Sequence, residues 1–369
     1  MDESMEVVIA GPDSDSISDA EYWQYTPRNP GSFTLSITVK DRTGIALESA
    51  SRPVFVLAVP SSSDLRHLSI GDSITRAGNY AEFAVVCVLG GKLVGTRTYD
   101  GGIISQEGRG GWTLNSYITR IARPEGGDSP FLFPLGVEGD KFLGNTSFWK
   151  DVTAADPRGY DYSGFQMIAR GWRTMGNYHF NAQGYPNSPA SGDVIVDPNL
   201  MAEEQWQQYN GSGWQVMMPP PNVEVSFAKY IDRYSSAFGG RGPTSISIML
   251  GTVDFLSALS DESWSIYKTQ LDAMISSIRE WDPEVPIILI GSPSGAPAAM
   301  WADQKVDGAD FDRRMLQHSQ RLYGAFDTPE CLANGIHVIS FLGVVSGDNM
   351  ADYVHPEVPE GHDQMGPWL

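Results

Sequence analysis

Several features that define well-known protein classes are missing from this sequence. Only two cysteines occur among 369 residues, Cys87 and Cys331, and they fit neither a disulfide framework nor zinc-ligand spacing. No run of about 18 apolar residues is present, so we predict no membrane-spanning helix. The first residues lack a charged segment followed by an apolar one, so we expect that a signal peptide is either absent or already removed. HExxH, P-loop and dinucleotide fingerprints are also missing, so we predict neither a metal nor an organic cofactor.

Basic residues are scarce as well. The chain has 25 lysines and arginines against 45 aspartates and glutamates, which gives a net charge of -20. A surface this acidic repels phosphate groups, so nucleic acids and anionic membranes are not expected partners. The composition favours a neutral substrate, and no feature specifies an oligomeric state.

The N-terminal part, residues 1–62, has the pattern of a small β module. The segment SFTLSITVK alternates apolar and polar residues with the period of a half-buried strand. A second strand is predicted in RPVFVLAVP, and the serine-rich SSSD at 61–64 has the composition of a linker. We expect an accessory module of immunoglobulin-like type, followed by a larger domain over 63–369.

From residue 65 onward, apolar strands alternate with helices. Strands are predicted in LRHLSI, SISIML, VPIILIGSP and GIHVISFLG, and helices in YAEFAVVCVL, in the segment from Trp264 to Trp281, and in DFDRRMLQHSQRLYGAF. Asp261 is a candidate N-cap. Continuous apolar strands separated by helices are typical of a parallel sheet covered on both faces, so the predicted class is α/β.

A segment at about 131–243 interrupts this alternation. It is rich in glycine, proline and aromatics, including Trp149, Trp172, Trp206 and Trp214. A structureless loop of this length is improbable in a compact domain, so we expect an ordered insertion. Its aromatics form either a sugar-stacking surface or lid, or the small core of the insertion itself.

The strongest local signal for chemistry is IGDSITR at 70–76. An apolar strand runs directly into a turn, and Ser73 stands where a helix begins. Reactive groups of open α/β sheets gather at the carboxyl ends of strands, where a serine hydroxyl is exposed. The alternative is an ordinary strand–helix turn.

A nucleophilic serine needs a base and a group that orients the base. Two of the six histidines have an aspartate three residues earlier, namely Asp352/His355 and Asp64/His67. His67 falls inside a predicted strand and is interpreted as structural. Asp352 and His355 follow the last strand, where the sheet can bring them beside Ser73.

Two of these segments resemble the sequence blocks of the GDSL/SGNH hydrolases. IGDSITRAG is similar to the first block, and DYVHPEVPEGHDQMG is similar to the last. The resemblance covers about residues 65–369 and implies an SGNH-type α/β/α sandwich with a parallel sheet. It also implies a catalytic triad of Ser73, His355 and Asp352 that hydrolyses esters without a cofactor.

The segment EGRGGWT at 107–113 resembles a motif of acetyl-carbohydrate esterases within that superfamily. The resemblance implies that Gly111 donates its N–H to the oxyanion, with Gly110 as the alternative, and it adds Asp72 and Trp112 as candidate substrate-binding residues. The other interpretation of this segment is an ordinary glycine-rich loop.

A third segment, IMLGTVD at 248–254, departs from the family pattern. Val253 stands where the family has an asparagine that donates to the oxyanion, and valine cannot donate a side-chain hydrogen bond. Either two backbone donors suffice, or another side chain such as Asn115, Asn145 or Gln106 compensates, or activity is lost. Asp254 is expected to be a structural hydrogen-bond acceptor near the site.

Taken together, the sequence predicts a carboxylic ester hydrolase that removes acetyl groups from a carbohydrate. The alternative is a weakened or inactive carbohydrate-binding or structural protein on the same scaffold, for which Val253 is the reason. By analogy with accessory modules of polysaccharide-active enzymes, an extracellular, periplasmic or virion-associated location is favoured.

Overall fold

The computed structural model describes residues 4–10, 14–18, 23–27, 31–40, 43–56, 64–99, 104–119, 129–134, 188–196, 200, 204, 206–217 and 223–369. The chain forms two compact units, Met1–Ser62 and Ser63–Leu369. Trp149, Trp172 and Asn145, as well as residues 57–60 of the second predicted strand, lie outside the described part.

The first unit consists of antiparallel β-structure where it is described. Ser4–Ala10, Gly31–Lys40 and Ala46–Val56 form a three-stranded sheet with Gly31–Lys40 in the centre. Ser14–Ser18 and Trp23–Pro27 pair as a separate ribbon. The apolar residues of the central strand alternate with threonines and serines as predicted, and Phe33 is the most deeply buried of them.

The second unit is built on a seven-stranded sheet within the described residues. The spatial order is Ile336–Ser340, Ile287–Gly291, Ser245–Met249, Arg66–Gly71, Ile104–Gly108 and Arg97–Tyr99, and Lys92–Val94 also pairs with Arg66–Gly71. All these pairings are parallel except that between Arg97–Tyr99 and Ile104–Gly108. The four predicted strands are all present, and their carboxyl ends lie along one edge.

Helices cover both faces of this sheet. Among the described residues, the α-helices are Ser73–Ala77, Asn79–Ala81, Leu114–Thr119, Phe227–Arg233, Asp261–Trp281, Gly308–Phe326, Pro329–Ala333 and Glu360–Met365. Ile287 and Leu289 pack in one core cluster with residues of the two long helices, such as Met274 and Met315. Ile290, on the opposite face of the same strand, packs in a second cluster with Tyr80 and Met365. Alternate residues of one strand therefore pack into two different hydrophobic clusters, one on each face of the sheet. The predicted α/β/α sandwich is confirmed.

Local details differ from the sequence-based expectation in two places. The predicted helix YAEFAVVCVL is a short α-helical turn, Asn79–Ala81, that continues as a π-helix over Glu82–Val88. The long helix begins at Asp261 as its first helical residue, and Ser260 is the N-cap because its hydroxyl accepts the N–H of Ser263. Asp261 instead contributes negative charge to the first turn, where the helix dipole favours it.

The described parts of the predicted insertion contain short elements. The strands are Leu132–Pro134, Val194–Val196, Trp206–Tyr209, Trp214–Val216 and Val223–Val225. Trp206 is buried, and Trp214 packs against Tyr209 at 5.4 Å. Both tryptophans therefore contribute to the packing of these elements. No helix in the described residues is long and apolar enough to cross a membrane.

Candidate active site

Ser73 lies at the carboxyl end of a central strand. The strand ends at Gly71, Asp72 is the N-cap, and Ser73 is the first residue of the helix Ser73–Ala77. Because the first N–H groups of a helix have no partner within it, the N–H of Ser73 makes no hydrogen bond inside the helix. The same geometry makes this end of the helix a region of positive potential. A half-buried hydroxyl and a backbone donor are thus presented by one residue.

His355 and Asp352 complete a hydrogen-bonded relay with Ser73. The Oγ of Ser73 is 2.6 Å from Nε2 of His355, and Nδ1 of His355 is 2.7 Å from Oδ2 of Asp352. Both residues lie in a loop after the last strand, closed by the Ala351 N–H donating to the His355 carbonyl at 2.8 Å. These distances suit a relay in which Nδ1–H faces the carboxylate and Nε2 accepts the serine proton.

The carboxylate of Asp352 is held in its charged form. Burial raises its pKa, but the N–H groups of Val354 and His355 and the imidazole together bring the pKa below the usual value. The two backbone groups donate to Oδ1 at 2.9 and 2.8 Å, which leaves Oδ2 to face Nδ1. The loop therefore fixes both the charge and the direction of the carboxylate.

Asp72 is fully buried beside the nucleophile. Its Oδ1 accepts the N–H of Ile74 at 2.9 Å and caps the nucleophile's helix. Burial raises the pKa of Asp72 to about 6, and the hydrogen bond from Ile74 works in the opposite direction. Its side chain is 0% exposed, so its contribution is to shape the turn rather than to contact a substrate.

The second glycine-rich segment follows the neighbouring strand Ile104–Gly108. Gly108 lies opposite Gly71 in the register, so the turn that carries Ser73 and the loop that carries Gly111 emerge from adjacent strand ends. Gly111 is exposed and has a φ of 69°, a conformation that favours glycine. Gly110 is also exposed and lies against the guanidinium of Arg76, where an added Cβ would be 2.9 Å from Nη1.

Trp112 occupies a different place from the one expected of a substrate-binding residue. Its ring is 1% exposed. It packs against Tyr117 at 5.0 Å and beneath the guanidinium of Arg109 at 4.7 Å. In this conformation Trp112 is part of the core behind the glycine loop and has no surface to offer a sugar.

The third segment forms a turn after the strand Ser245–Met249. Gly251 has a φ of 129° and lies directly on the ring of His318, where an added Cβ would be 2.3 Å from Cε1. Val253 is half-buried in this turn. Asp254 accepts the N–H of Leu114 at 2.9 Å, which agrees with the expected structural role. Burial raises the pKa of Asp254 to about 7, although the Leu114 N–H lowers it.

Of the side chains considered as replacements for the missing asparagine, Gln106 donates to another group, Asn115 lies on the exposed surface, and Asn145 is not described. The amide oxygen of Asn115 accepts from Gln270 at 2.6 Å on the exposed surface. Gln106 is buried, donates to the Arg76 carbonyl at 3.0 Å and accepts the Gly108 N–H. Gln106 therefore holds the glycine loop against the nucleophile's helix. Asn145 lies outside the described residues.

The second Asp/His pair is structural, as interpreted from the sequence. His67 lies within its strand and contacts the hydroxyls of Ser245 and Ser247 at 2.8 and 2.9 Å. Burial lowers the pKa of His67 to about 4, so the ring is neutral. Asp64 pairs instead with Arg66 and Arg241.

The structure also reveals a buried polar network that the sequence did not indicate. The carboxylate of Glu107 accepts from Thr96, from Tyr230 at 2.7 Å and from Arg109 at 3.1 Å. The hydroxyl of Tyr117 reaches the carbonyls of Gly71 and Glu107. A tyrosine in an amphipathic segment is usually a core residue, so only the folded geometry identifies this connection.

Among the described residues, no group of three or more His, Cys, Asp or Glu side chains is arranged to hold a metal ion. The side chains that meet here are a serine hydroxyl, an imidazole and a carboxylate, with backbone N–H groups nearby. Such an arrangement can carry out acyl transfer through a covalent serine ester.

Comparison with known proteins gives the following result. The sequence matches no family model and no curated protein. Three solved structures are similar over most of the chain. The first is an acetyl esterase mutant with acetate ion, at 12% identity and a TM-score of 0.38, covering 83% of this chain and 94% of that chain. The second is a family 3 carbohydrate esterase from Talaromyces cellulolyticus, at 14% identity and a TM-score of 0.36, covering 82% of this chain and 95% of that chain. The third is a family two carbohydrate esterase from Clostridium thermocellum in complex with cellohexaose, at 14% identity and a TM-score of 0.35, covering 100% of this chain and 83% of that chain. At these identities and TM-scores, the similarities assign no activity to this chain.

Proposed function

We propose that this chain is a serine ester hydrolase. The observation that carries the proposal is the continuous relay from Ser73 through His355 to Asp352, with contacts of 2.6 and 2.7 Å. Both distances lie in the range needed for a base to take a serine proton and for a carboxylate to orient that base. The three residues are also in the order expected from the sequence resemblance.

The reaction proceeds by acyl transfer. His355 takes the proton of Ser73 as the Oγ attacks the ester carbonyl, and Asp352 stabilises the resulting imidazolium. The N–H groups of Ser73 and Gly111 receive the oxyanion of the tetrahedral intermediate. His355 then protonates the leaving alcohol, and water attacks the acyl-enzyme to release the acid and restore the serine.

The proposed substrate is an acetylated carbohydrate. The reason is the resemblance of residues 107–113 to the EG-x-x-GWT pattern of acetyl-carbohydrate esterases, together with a net charge of -20 that favours a neutral substrate. The unit Met1–Ser62 is proposed to be an accessory module of this enzyme.

Acetate release from p-nitrophenyl acetate and from acetylated xylo-oligosaccharides tests the proposal. We expect turnover by the wild type and none by Ser73→Ala. Ser36→Ala, which removes a serine hydroxyl from the other compact unit, is the matched control and should keep full activity. Hydrolysis by Ser73→Ala at the wild-type rate would refute the serine mechanism.

Val253 favours a second candidate, a carbohydrate-binding protein that has lost catalysis. A half-buried valine at the position of an oxyanion donor leaves no side-chain hydrogen bond there. A fluorophosphonate probe separates the two candidates, because it labels an activated serine. Labelling of Ser73 would favour the hydrolase, whereas binding of the oligosaccharide without labelling or turnover would favour the binding protein.

A further inference from the structure

The hydroxyl of Tyr117 lies between the ends of two neighbouring strands. Its oxygen is 2.7 Å from the carbonyl oxygen of Gly71 and within hydrogen-bonding distance of the carbonyl oxygen of Glu107. Gly71 is two residues before the nucleophile, and Glu107 is four residues before Gly111. One hydroxyl therefore contacts the backbone at the base of both loops that would form the oxyanion hole.

The same short helix also contacts the third loop. Leu114, the first residue of Leu114–Thr119, donates its N–H to Asp254 at 2.9 Å. The first two loops are also linked directly, because the Arg109 N–H donates to the Gly71 carbonyl at 2.9 Å. The Gly71 carbonyl thus accepts both from the glycine loop and from the helix behind it.

Tyr117 is held where it can only donate. It is 0% exposed, and its ring packs against Trp112 at 5.0 Å and Phe131 at 5.7 Å. Burial raises the pKa of Tyr117 well above its usual value, so the hydroxyl keeps its proton. Both of its partners are carbonyl oxygens, which accept only. A buried donor that faces two acceptors sets the separation between the strand ends that carry them.

We propose that Tyr117 is a positioning residue that fixes the spacing between the N–H of Ser73 and the N–H of Gly111. The proposal rests on the hydrolase function. With valine at position 253, these two backbone groups carry the oxyanion stabilisation that an asparagine would otherwise share. Their mutual geometry therefore has a larger effect on the rate, since a displacement of about 1 Å at a reacting centre costs on the order of a hundredfold.

The test compares Tyr117→Phe with Tyr230→Phe. Both variants remove a buried tyrosine hydroxyl that contacts Glu107, but Tyr230 contacts its side chain rather than a strand-end carbonyl. For Tyr117→Phe we expect kcat on p-nitrophenyl acetate to fall about 10- to 100-fold, with KM within about twofold of the wild type and an unchanged pH profile. Tyr230→Phe should lose comparable thermal stability and keep kcat within about threefold.

Hydrogen–deuterium exchange of the intact chain provides a readout that does not depend on turnover. We expect amides in 71–76 and 108–113 to exchange at least about tenfold faster in Tyr117→Phe, and at the wild-type rate in Tyr230→Phe. Equal kcat and equal exchange in the two variants would overturn the positioning role. If the wild type shows no turnover, the hydrolase function fails, and the exchange pattern alone still decides whether Tyr117 fixes the two loops.

Discussion

The N–H of Leu114 donates a 2.9 Å hydrogen bond to Oδ1 of Asp254, although 140 positions separate the two residues in the chain. This contact joins the helix behind the glycine loop to the turn that contains Val253. The carboxylate is buried and close enough to Asp72 for the two negative charges to interact, and the pKa of Asp254 is about 7. The link therefore contains a group that titrates near neutral pH.

Asp254 is expected to make stability depend on pH. Its folded pKa of about 7 exceeds the ordinary aspartate value of 3.8, so the folded state binds the proton more tightly between pH 4 and 7. The contribution of Asp254 to the free energy of unfolding consequently falls as the pH rises through this window. Relative to the wild type, Asp254→Asn should gain stability from pH 4 to 7, by on the order of a few kcal/mol.

Urea denaturation at pH 4, 5.5, 7 and 8 measures this difference. Asp303→Asn replaces an exposed aspartate and is the control for the general effect of removing one carboxylate. A difference between Asp254→Asn and the wild type that stays constant over the four pH values would contradict the prediction.

Val253→Asn is expected to raise turnover. The substitution returns a side-chain donor to the position where the sequence resemblance places one, and one oxyanion donor contributes on the order of a hundredfold or more to the rate. The quantity to measure is kcat on p-nitrophenyl acetate. Val253→Leu has a similar size without a donor and should not exceed the wild type. Equal rates for the two variants would show that the donor is not missing.

Asn115→Ala is expected to leave turnover within about twofold of the wild type, as is usual for exposed positions away from a site. The reason is that its side chain is exposed and its amide oxygen already contacts Gln270 at 2.6 Å. Gln270→Ala, which removes the other partner of this contact, should behave in the same way. A loss of tenfold or more, as an order-of-magnitude threshold, in Asn115→Ala alone would identify Asn115 as a replacement oxyanion donor.

Asp352→Asn is expected to lower kcat by on the order of 10³- to 10⁴-fold, since the amide cannot stabilise an imidazolium or fix its tautomer. Because the pKa of Asp352 lies below its usual value, the wild-type carboxylate is charged at neutral pH. Asp348→Asn changes an exposed aspartate four residues earlier and should keep the wild-type rate. Near-wild-type kcat in Asp352→Asn would remove this residue from the mechanism.

Much of the second unit could be predicted because its central strands are short runs without charged residues. Ser245–Met249 is buried at every position and Ile287–Gly291 at all but one, so neither strand alternates between a buried and an exposed face. The sequence predicted that Ser73, Asp352 and His355 meet, and the structure brings their side chains to contacts of 2.6 and 2.7 Å. Their catalytic role stays a prediction. The assignment of His67 as structural also followed from its position within a strand.

The contacts that assemble the site were harder to predict because they join distant segments. The sequence does not show that Tyr117 faces the carbonyl of Gly71, since any amphipathic helix can bury a tyrosine. The burial of Trp112 was missed for a related reason, because an aromatic residue next to glycines is typical both of a sugar platform and of a core. The π-helix over Glu82–Val88 was also unexpected, since its apolar pattern is that of an ordinary α-helix.

The aspartate and histidine of the relay are built within one tight loop. Asp352 receives the N–H groups of Val354 and His355 as well as the imidazole, and Met350 forms a bridge with Pro356 that closes the loop. The loop itself consequently holds the imidazole of His355 against the carboxylate of Asp352. A shift of this loop would change the distance from His355 to Ser73 and would leave the contact between His355 and Asp352 in place. The rest of the fold therefore has to align two parts of the site, Ser73 and this loop, rather than three separate side chains.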